Sequence, residues 1–423
     1  MQPTLAQAHQ LDAADPLAGF RERFYIPEGV IYLDGNSLGL LSRDAEASLL
    51  RVLEEWKRLA VDGWTRAQPA WFETGERLGA AMAEVVGAEA EEVVVTGSTT
   101  VNLHHLVRTF YRPEGRRRVI VADRLNFPSD QYALEAIVAE RGLDPAAVLR
   151  WVPSRDGRTI AEEDVEAALD EDVALLVLPS VYYVSGQLVD VARLTRAAHR
   201  VGALAGFDLC HSAGVLPHRL HEWEVDFAFW CTYKYLNAGP GATAALYVHR
   251  RHFGRRPALA GWWGVRKDRQ FDMQSEFLPA PHAGAWQIGT VPMLSTAPLE
   301  GSLRLLREAG VDRVREKSLK QTEYLLALVD EHLGGCGFEI VTPREPQRRG
   351  GHVALAHPQA VRIAKALKAA GVVPDFRAPD VLRLAPSPLY TAYREIWEAV
   401  ARLREIMMSE AWRGYPGERD AVA

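Results

Sequence analysis

Cysteine is scarce in this chain of 423 residues: Cys210, Cys231 and Cys336 are the only three, and no two of them form a C-x-x-C pair. They suggest neither a disulfide framework nor a thiolate zinc site, so no metal is expected and a reducing cytoplasm is the expected setting. Long apolar runs are missing as well. None approaches the roughly 18 residues that span a bilayer. The opening MQPTLAQAHQLDAADP has neither a basic start nor the apolar stretch of a secretory signal. Basic residues come in short bursts (Arg116, Arg117 and Arg118; Arg348 and Arg349) without interleaved aromatics, and the net charge is -6. That pattern reads as solvated loops and offers no footing for a nucleic-acid partner. Internal repeats and low-complexity tracts are also absent.

What is present is an ordinary globular composition, 48% hydrophobic and 25% charged, in a chain long enough for a large domain and a smaller one. Between Glu92 and His249, short apolar runs alternate with amphipathic stretches: VVVT (93–96), VIVAD (119–123), VALLVL (173–178), ALAGFD (203–208), FAFWC (227–231) and AALYV (244–248). Continuous rather than alternating hydrophobicity marks strands buried on both faces, the habit of a parallel sheet between helices, so the fold class is α/β. DVARLTRAAHRVG (190–202) opens at an Asp and stops at a Gly, as a capped helix does. After Pro298 the chain reads as helix almost throughout, and then GFEIV, HVALA and VLRLA read as strands of a second sheet. This shift places a domain boundary at 298.

In an open parallel sheet, ligands bind beyond the carboxyl ends of the strands. Four ends carry chemistry. VVVT is followed by GSTTVNLHHLVRTF, where Ser98, Thr99, Thr100 and the free N–H groups of a helix start can cradle a phosphate or form a plain N-cap. VIVAD is followed by RLNFPSDQYA, where Phe127 can stack on a planar ring or plug the core, with Ser129 as a helix cap beside Asp130. ALAGF is followed by DLCHSAG, where Asp208 ends a buried strand. A carboxylate there is costly unless a cation faces it, and His211 can orient a ring substituent or sit satisfied in the core. FAFWC is followed by TYKYLNAGPGA, which puts Tyr233 and Lys234 at a strand end; the lysine can snorkel to water or act as a nucleophile.

Phosphate cradle, stacking aromatic, buried aspartate and strand-end lysine, in that order, are the parts needed to hold pyridoxal phosphate (PLP): an imine to lysine, a carboxylate on the pyridinium nitrogen and amides on the phosphate. One rival motif is DGNSLG, a G-x-S-x-G string around Ser37 that would suit a hydrolase elbow. Only about thirty residues precede it, too few for the strands and oxyanion loop of that fold, so a glycine-permitted turn near the site is the better reading.

With these residues the chain resembles kynureninase, a PLP enzyme family of the aspartate-aminotransferase fold type. The resemblance runs through YLDGNSLG (32–39), TTVNLH (99–104), FPSD (127–130), DLCHSAG (208–214), TYKYLNAGPGA (232–242), GWWG (261–264) and LRLAPSPLY (382–390). It implies a large PLP-binding domain (56–297) with a mostly parallel seven-stranded sheet, and a smaller α+β domain (298–423) joined by the N-terminal segment (1–55). It implies Lys234 as the imine lysine, Asp208 on the pyridinium nitrogen and Phe127 on the ring, with Thr99, Thr100, Ser129, Asp130, His211 and Tyr233 around the cofactor. Trp262 and Thr290 would reach it from a second subunit, which makes a homodimer with shared sites. Arg383 would clamp the substrate carboxylate, with Asn36 and Trp64 near the substrate. The implied reaction is hydrolysis of L-kynurenine to anthranilate and L-alanine in tryptophan catabolism, with Tyr233 as a proton donor or a phosphate contact. Trp64, where relatives favouring 3-hydroxykynurenine place a His, implies a preference for the unsubstituted substrate. Pro179 stands where relatives carry Ser or Thr, which leaves Ser180 as a cofactor contact, and Val265 stands where GWxG is commonly followed by His. A cysteine desulfurase or aminotransferase relative is the alternative within the fold, and a non-catalytic scaffold the alternative outside enzymes.

Overall fold

In the computed structural model, which describes residues 3–420, the apolar runs pair into one seven-stranded sheet. Its strands are β1 (Val93–Val95), β2 (Val119–Asp123), β3 (Leu149–Val152), β4 (Val173–Pro179), β5 (Leu204–Asp208), β6 (Phe227–Trp230) and β7 (Ala245–Val248). Their spatial order is β1-β7-β6-β5-β4-β2-β3. Pairing from β3 through β2, β4 and β5 to β6 is parallel, whereas β7 runs antiparallel to both its neighbours. Alternate residues of β4 enter two cores: Leu176 and Leu178 pack in the cluster that holds Leu303 and Leu306, Leu175 and Val177 in the one that holds Leu134 and Ile137. A strand covered on both faces has no polar side to show, which is why these runs are continuously apolar. The strand that the apolar pattern does not reveal is β3. It lies at the sheet edge, where Arg150 and Trp151 are half-buried, so its sequence does not read as a run.

Helices follow the strands as the sequence signals require. The helix Val191–Arg200 is capped by Asp190, which accepts from the Arg193 amide, and the positive φ of Gly202 turns the chain just beyond it. Helix α1 (Thr99–Phe110) follows β1 and α2 (Pro128–Glu140) follows β2. Farther on, α3 (Met293–Ala309) and α4 (Val311–His332) are almost continuous. Pro298 lies inside α3, and residue 55 lies inside the helix Arg43–Leu59. The expected boundaries at 55/56 and 297/298 therefore fall within helices. These two helices pack side by side, and so closely that a Cβ on Gly301 would collide with the Asp44 backbone.

The second sheet is antiparallel, with strands β8 (Glu339–Ile340), β9 (Val353–Ala356), β10 (Asp375–Arg377) and β11 (Val381–Leu384) in the order β10-β11-β9-β8. N-terminal residues Ala8, Ile31 and Leu33 belong to its core, and Ile31–Tyr32 pairs in parallel with Val372–Val373. The outermost limits of the expected segments, residues 1 and 423, lie outside the described residues. Among those described, no helix is long and apolar enough to cross a membrane.

Candidate active site

The carboxyl ends of β2, β4, β5 and β6 open on one cleft of about 220 Å³, closed on its far side by β10 and β11. A cavity of about 450 Å³ near Arg193, His218 and Trp223 is larger, but it contains no lysine, and its histidine is already bonded to Ser212 at 2.9 Å. The chemistry sits in the smaller space.

Lys234 does not snorkel. It is half-buried, and its Nζ lies 3.0 Å from His211 Nε2. Burial, reinforced by the Lys234 charge, drives the His211 imidazole well below its ordinary range. The neutral ring accepts from Lys234 through Nε2, which leaves its Nδ1–H without a partner. Burial pulls against the Lys234 ammonium, but the Cys231 and Cys210 sulfurs, as thiolates, and the Asp208 carboxylate outweigh it and hold the amine above its ordinary value. Asp208 is 6% exposed and accepts from the Cys210 amide at 2.7 Å. Burial pushes its carboxyl up, and Lys234 works against that. Asp130, also buried, is pushed up further by burial and by Asp208 itself. Two carboxyls thus share one ammonium.

Around this centre the alternatives left open by the sequence resolve. Ser98 occupies the N-cap of α1 but makes no side-chain cap bond, so the first-turn N–H groups beside Thr99 and Thr100 stay open to the cleft. Ser129 is not a cap: Phe127 holds the N-cap position of α2, and Ser129 Oγ pairs with Thr100 Oγ1 at 2.7 Å. Phe127 is no core plug, being 45% exposed with its ring edge-on to Tyr183. The DGNSLG turn wraps the lysine loop. The Gly39 amide donates to the Tyr233 carbonyl at 2.8 Å, and a Cβ on Gly39 would collide with the Lys234 carbonyl. Ser37 faces two arginines and no histidine, so the elbow reading falls. Ser180 does not line the cleft. It is fully buried and bonds Ser212 Oγ and the Asp208 carbonyl, bracing the end of β5.

Asn36 and Arg383 line the cleft, and burial pulls Arg383 down to about 10. Trp64, Trp262 and Thr290 do not. Trp64 packs on Trp71 and Trp263 and shares with Thr290 a separate pocket of about 390 Å³. Trp262 is 44% exposed, against Phe271. Val265 bridges to Pro279. Five lining residues carried no strand-end signal: Asn126, Val181, Tyr183, Cys210 and Arg377. Tyr183 lies three residues beyond Ser180, where the reading of β4 stopped. Arg377 carries no motif, and only strand register brings it to the site.

Several polar atoms of cleft-lining residues are buried without a partner: His211 Nδ1, both amide atoms of Asn36, and Arg383 Nε. Buried polar atoms are normally satisfied, so this concentration marks a site shaped for a polar ligand. One His/Glu cluster among the described residues, Glu92, His221 and His249, brings metal-type ligand atoms together. Its atoms are already used. Glu92 accepts from His221 at 2.9 Å and from the Arg250 amide at 2.8 Å, and His249 Nδ1 accepts from the Arg251 amide at 3.1 Å. The two imidazoles are stacked at 10°, so no single point lies in both ring planes.

The architecture recurs in solved structures of low sequence identity. It is similar to a C-DES mutant with glycine covalently linked to the PLP cofactor (TM-score 0.78, 18% identity, covering 91% of this chain and 99% of that one). It is equally similar to a cysteine desulfurase from Thermococcus onnurineus (TM-score 0.78, 18% identity, 93% and 98%). The sequence is more specific than the fold. Residues 314–403 match the kynureninase C-terminal domain model. The chain is 54% identical over 423 residues to the kynureninase of Geobacillus thermodenitrificans, covering 100% of this chain and 99% of that protein. Against the kynureninase of Shouchella clausii it is 54% identical over 420 residues, covering 99% and 98%. The chain belongs to the kynureninase family.

Proposed function

We propose that this protein hydrolyses L-kynurenine to anthranilate and L-alanine with PLP, in tryptophan catabolism. The observation that carries the reading is full-length identity of 54% to kynureninases in a chain whose strand-end lysine faces a buried Asp and an uncapped helix start. The donor set fits the cofactor. The open N–H groups of α1 with Thr99, Thr100 and Ser129 suit its phosphate, and Asp208 suits a pyridinium. The unpartnered His211 Nδ1–H suits the ring oxygen, and exposed Phe127 can cover the ring face. When bound, PLP supplies the electron sink for the carbon that bears the substrate amine.

The chain's own groups do the rest. Arg383 and Asn36 hold the substrate at the β10–β11 side. Lys234 Nζ removes the Cα proton, and His211 receives the amine's hydrogen bond while it waits. The Tyr233 hydroxyl, which burial keeps protonated, delivers a proton to Cβ when the Cβ–Cγ bond breaks. One water adds to the γ-carbonyl, its OH ending on the anthranilate carboxyl and its proton restoring Tyr233, while Lys234 returns the proton it took, so kynurenine and water balance as anthranilate and alanine. We further propose a homodimer in cytoplasm. Trp262 and Thr290 are exposed outside the cleft, beside exposed Phe271 and Leu294, where a second copy would cover them and carry them to its own cleft.

The desulfurase alternative needs a mobile nucleophilic cysteine. Cys210 and Cys231 are buried, and Cys336 is half-buried against the second core. Supplying the PLP-loaded protein with L-kynurenine or L-cysteine tests the choice. Anthranilate fluorescence appearing with alanine in equal amounts supports the proposal; sulfide from cysteine and no anthranilate would refute it.

A further inference from the structure

Two guanidinium groups meet at the recognition side of the cleft, and the sequence reading assigned a role to one of them. Strands β10 and β11 pair so that Asp375 stands opposite Arg383. Asp375 is fully buried, and one of its oxygens serves both arginines: Arg383 contacts it directly, and Arg377 Nε lies 3.1 Å away. The two also share a second anchor. Ser37 Oγ accepts from Arg377 at 3.3 Å and from Arg383 at 3.2 Å. A common carboxylate and a common hydroxyl fix the guanidiniums at a set spacing, as one composite surface.

Their remaining capacity differs. A guanidinium has five N–H donors. Arg383, 1% exposed, gives one to the Tyr183 carbonyl at 2.6 Å, one to Ser37 and one to Asp375. Arg377, 34% exposed in its side chain, gives one to Ser37 and keeps its Nε against Asp375, which leaves three, and it lines the cleft. Arg377 keeps more unused donors than Arg383 and is the more exposed of the two.

We propose that Arg377 is a second substrate-binding residue, which grips the α-carboxylate jointly with Arg383, while Asp375 and Ser37 act as positioning residues that set the two forks. The proposal rests on the kynurenine-hydrolysing reading for the identity of the substrate. Its selectivity content is separate: the cleft should prefer a carboxylate to an uncharged amide of the same shape through Arg377.

The test compares Arg377→Gln and Arg377→Lys with wild type in the PLP-loaded enzyme. Two probes that cannot turn over are titrated by intrinsic fluorescence: 4-(2-aminophenyl)-4-oxobutanoate, which is kynurenine without its amine, and the carboxamide of that acid. Losing a charge-assisted hydrogen bond weakens binding roughly tenfold to hundredfold. Arg377→Gln should weaken the carboxylate by that factor and leave the carboxamide unchanged. In turnover, KM for L-kynurenine should rise by a similar factor with kcat within about twofold. Arg377→Lys, a point charge in place of a fork, should fall between. A purely structural Arg377 would lower thermal stability and leave the carboxylate-to-carboxamide ratio at the wild-type value, and that unchanged ratio in both variants overturns the proposal. Wild type that binds the carboxylate selectively but releases no anthranilate would instead overturn the kynurenine reading and leave the arginine pair standing.

Discussion

The two sheets face each other across one cleft and bring opposite kinds of chemistry to it. The large sheet offers strand ends: Asp208 as the last residue of its strand, His211 three residues beyond it, Lys234 four residues beyond β6, and Asp130 in the first turn of α2. The small sheet offers only its inner edge, where a buried carboxylate holds two guanidiniums. The first side can hold a cofactor and move protons. The second can only recognise an anion, because a guanidinium stays protonated and has no acceptor. The comparison teaches that chemistry and recognition are assigned to different sheets, so a substitution should reveal its side by which kinetic constant moves.

Substitutions test that division in decreasing order of effect. Lys234→Ala removes the only lysine amine among the described residues that line the cleft and should lower kcat roughly 100-fold to 10,000-fold, the range of a lost proton-transfer group, with the fold intact by circular dichroism. Asp208→Asn should lower kcat about a hundredfold. Two pKa units of lost support at the ring nitrogen, at about 1.4 kcal/mol each, give that factor. Near-wild-type turnover would move the acid role elsewhere, Asp130 being the adjacent carboxyl. On the other sheet, Arg383→Lys should raise KM roughly tenfold or more with little change in kcat, since a point charge replaces a fork. A fall in kcat at constant KM would break the division outright.

Acid should also destabilise the fold. Burial lowers His105 and His218, both on the large-sheet side, from 6.5 to about 4. Between those values the unfolded chain binds protons that the folded chain refuses, so stability falls as pH drops from 6.5 toward 4. At pH 5 each histidine should cost about 2 kcal/mol, at about 1.4 kcal/mol per pH unit. Urea midpoints at pH 7 and pH 5 measure it, and removal of the pH 7 advantage in His105→Gln would confirm the source. The smallest effect concerns Trp64. Wild type should prefer L-kynurenine over 3-hydroxykynurenine by no more than about a hundredfold, and Trp64→His should narrow the ratio several-fold. An unmoved ratio would separate Trp64 from the substrate ring.

What the sequence showed follows the same division. Strands covered on both faces must be apolar throughout, so the large sheet could be read strand by strand, and the residues after each run led to Lys234, Asp208, Phe127 and Thr99. The edge strand β3 escaped because half of it faces solvent. Recognition was less legible. Asp375 and Arg377 occupy a three-residue strand with no motif, and their meeting with Arg383 depends on antiparallel register. Register is a tertiary fact that local periodicity does not encode. The helix that crosses residue 298 hid the boundary for a related reason: the composition changes there while the hydrogen-bonded chain continues. Ser129 reads as a cap by residue type, yet Pro128 starts the helix one residue earlier and frees the hydroxyl for Thr100.

The central claim is that the end of β6 places the amine to which PLP attaches. Borohydride reduction of the PLP-loaded protein, followed by digestion and mass spectrometry, locates the pyridoxyl group directly. The account predicts a single labelled residue, Lys234, in the peptide that contains Tyr233 and Tyr235. Label on any other lysine, or none above that of the Lys234→Ala variant, would contradict it.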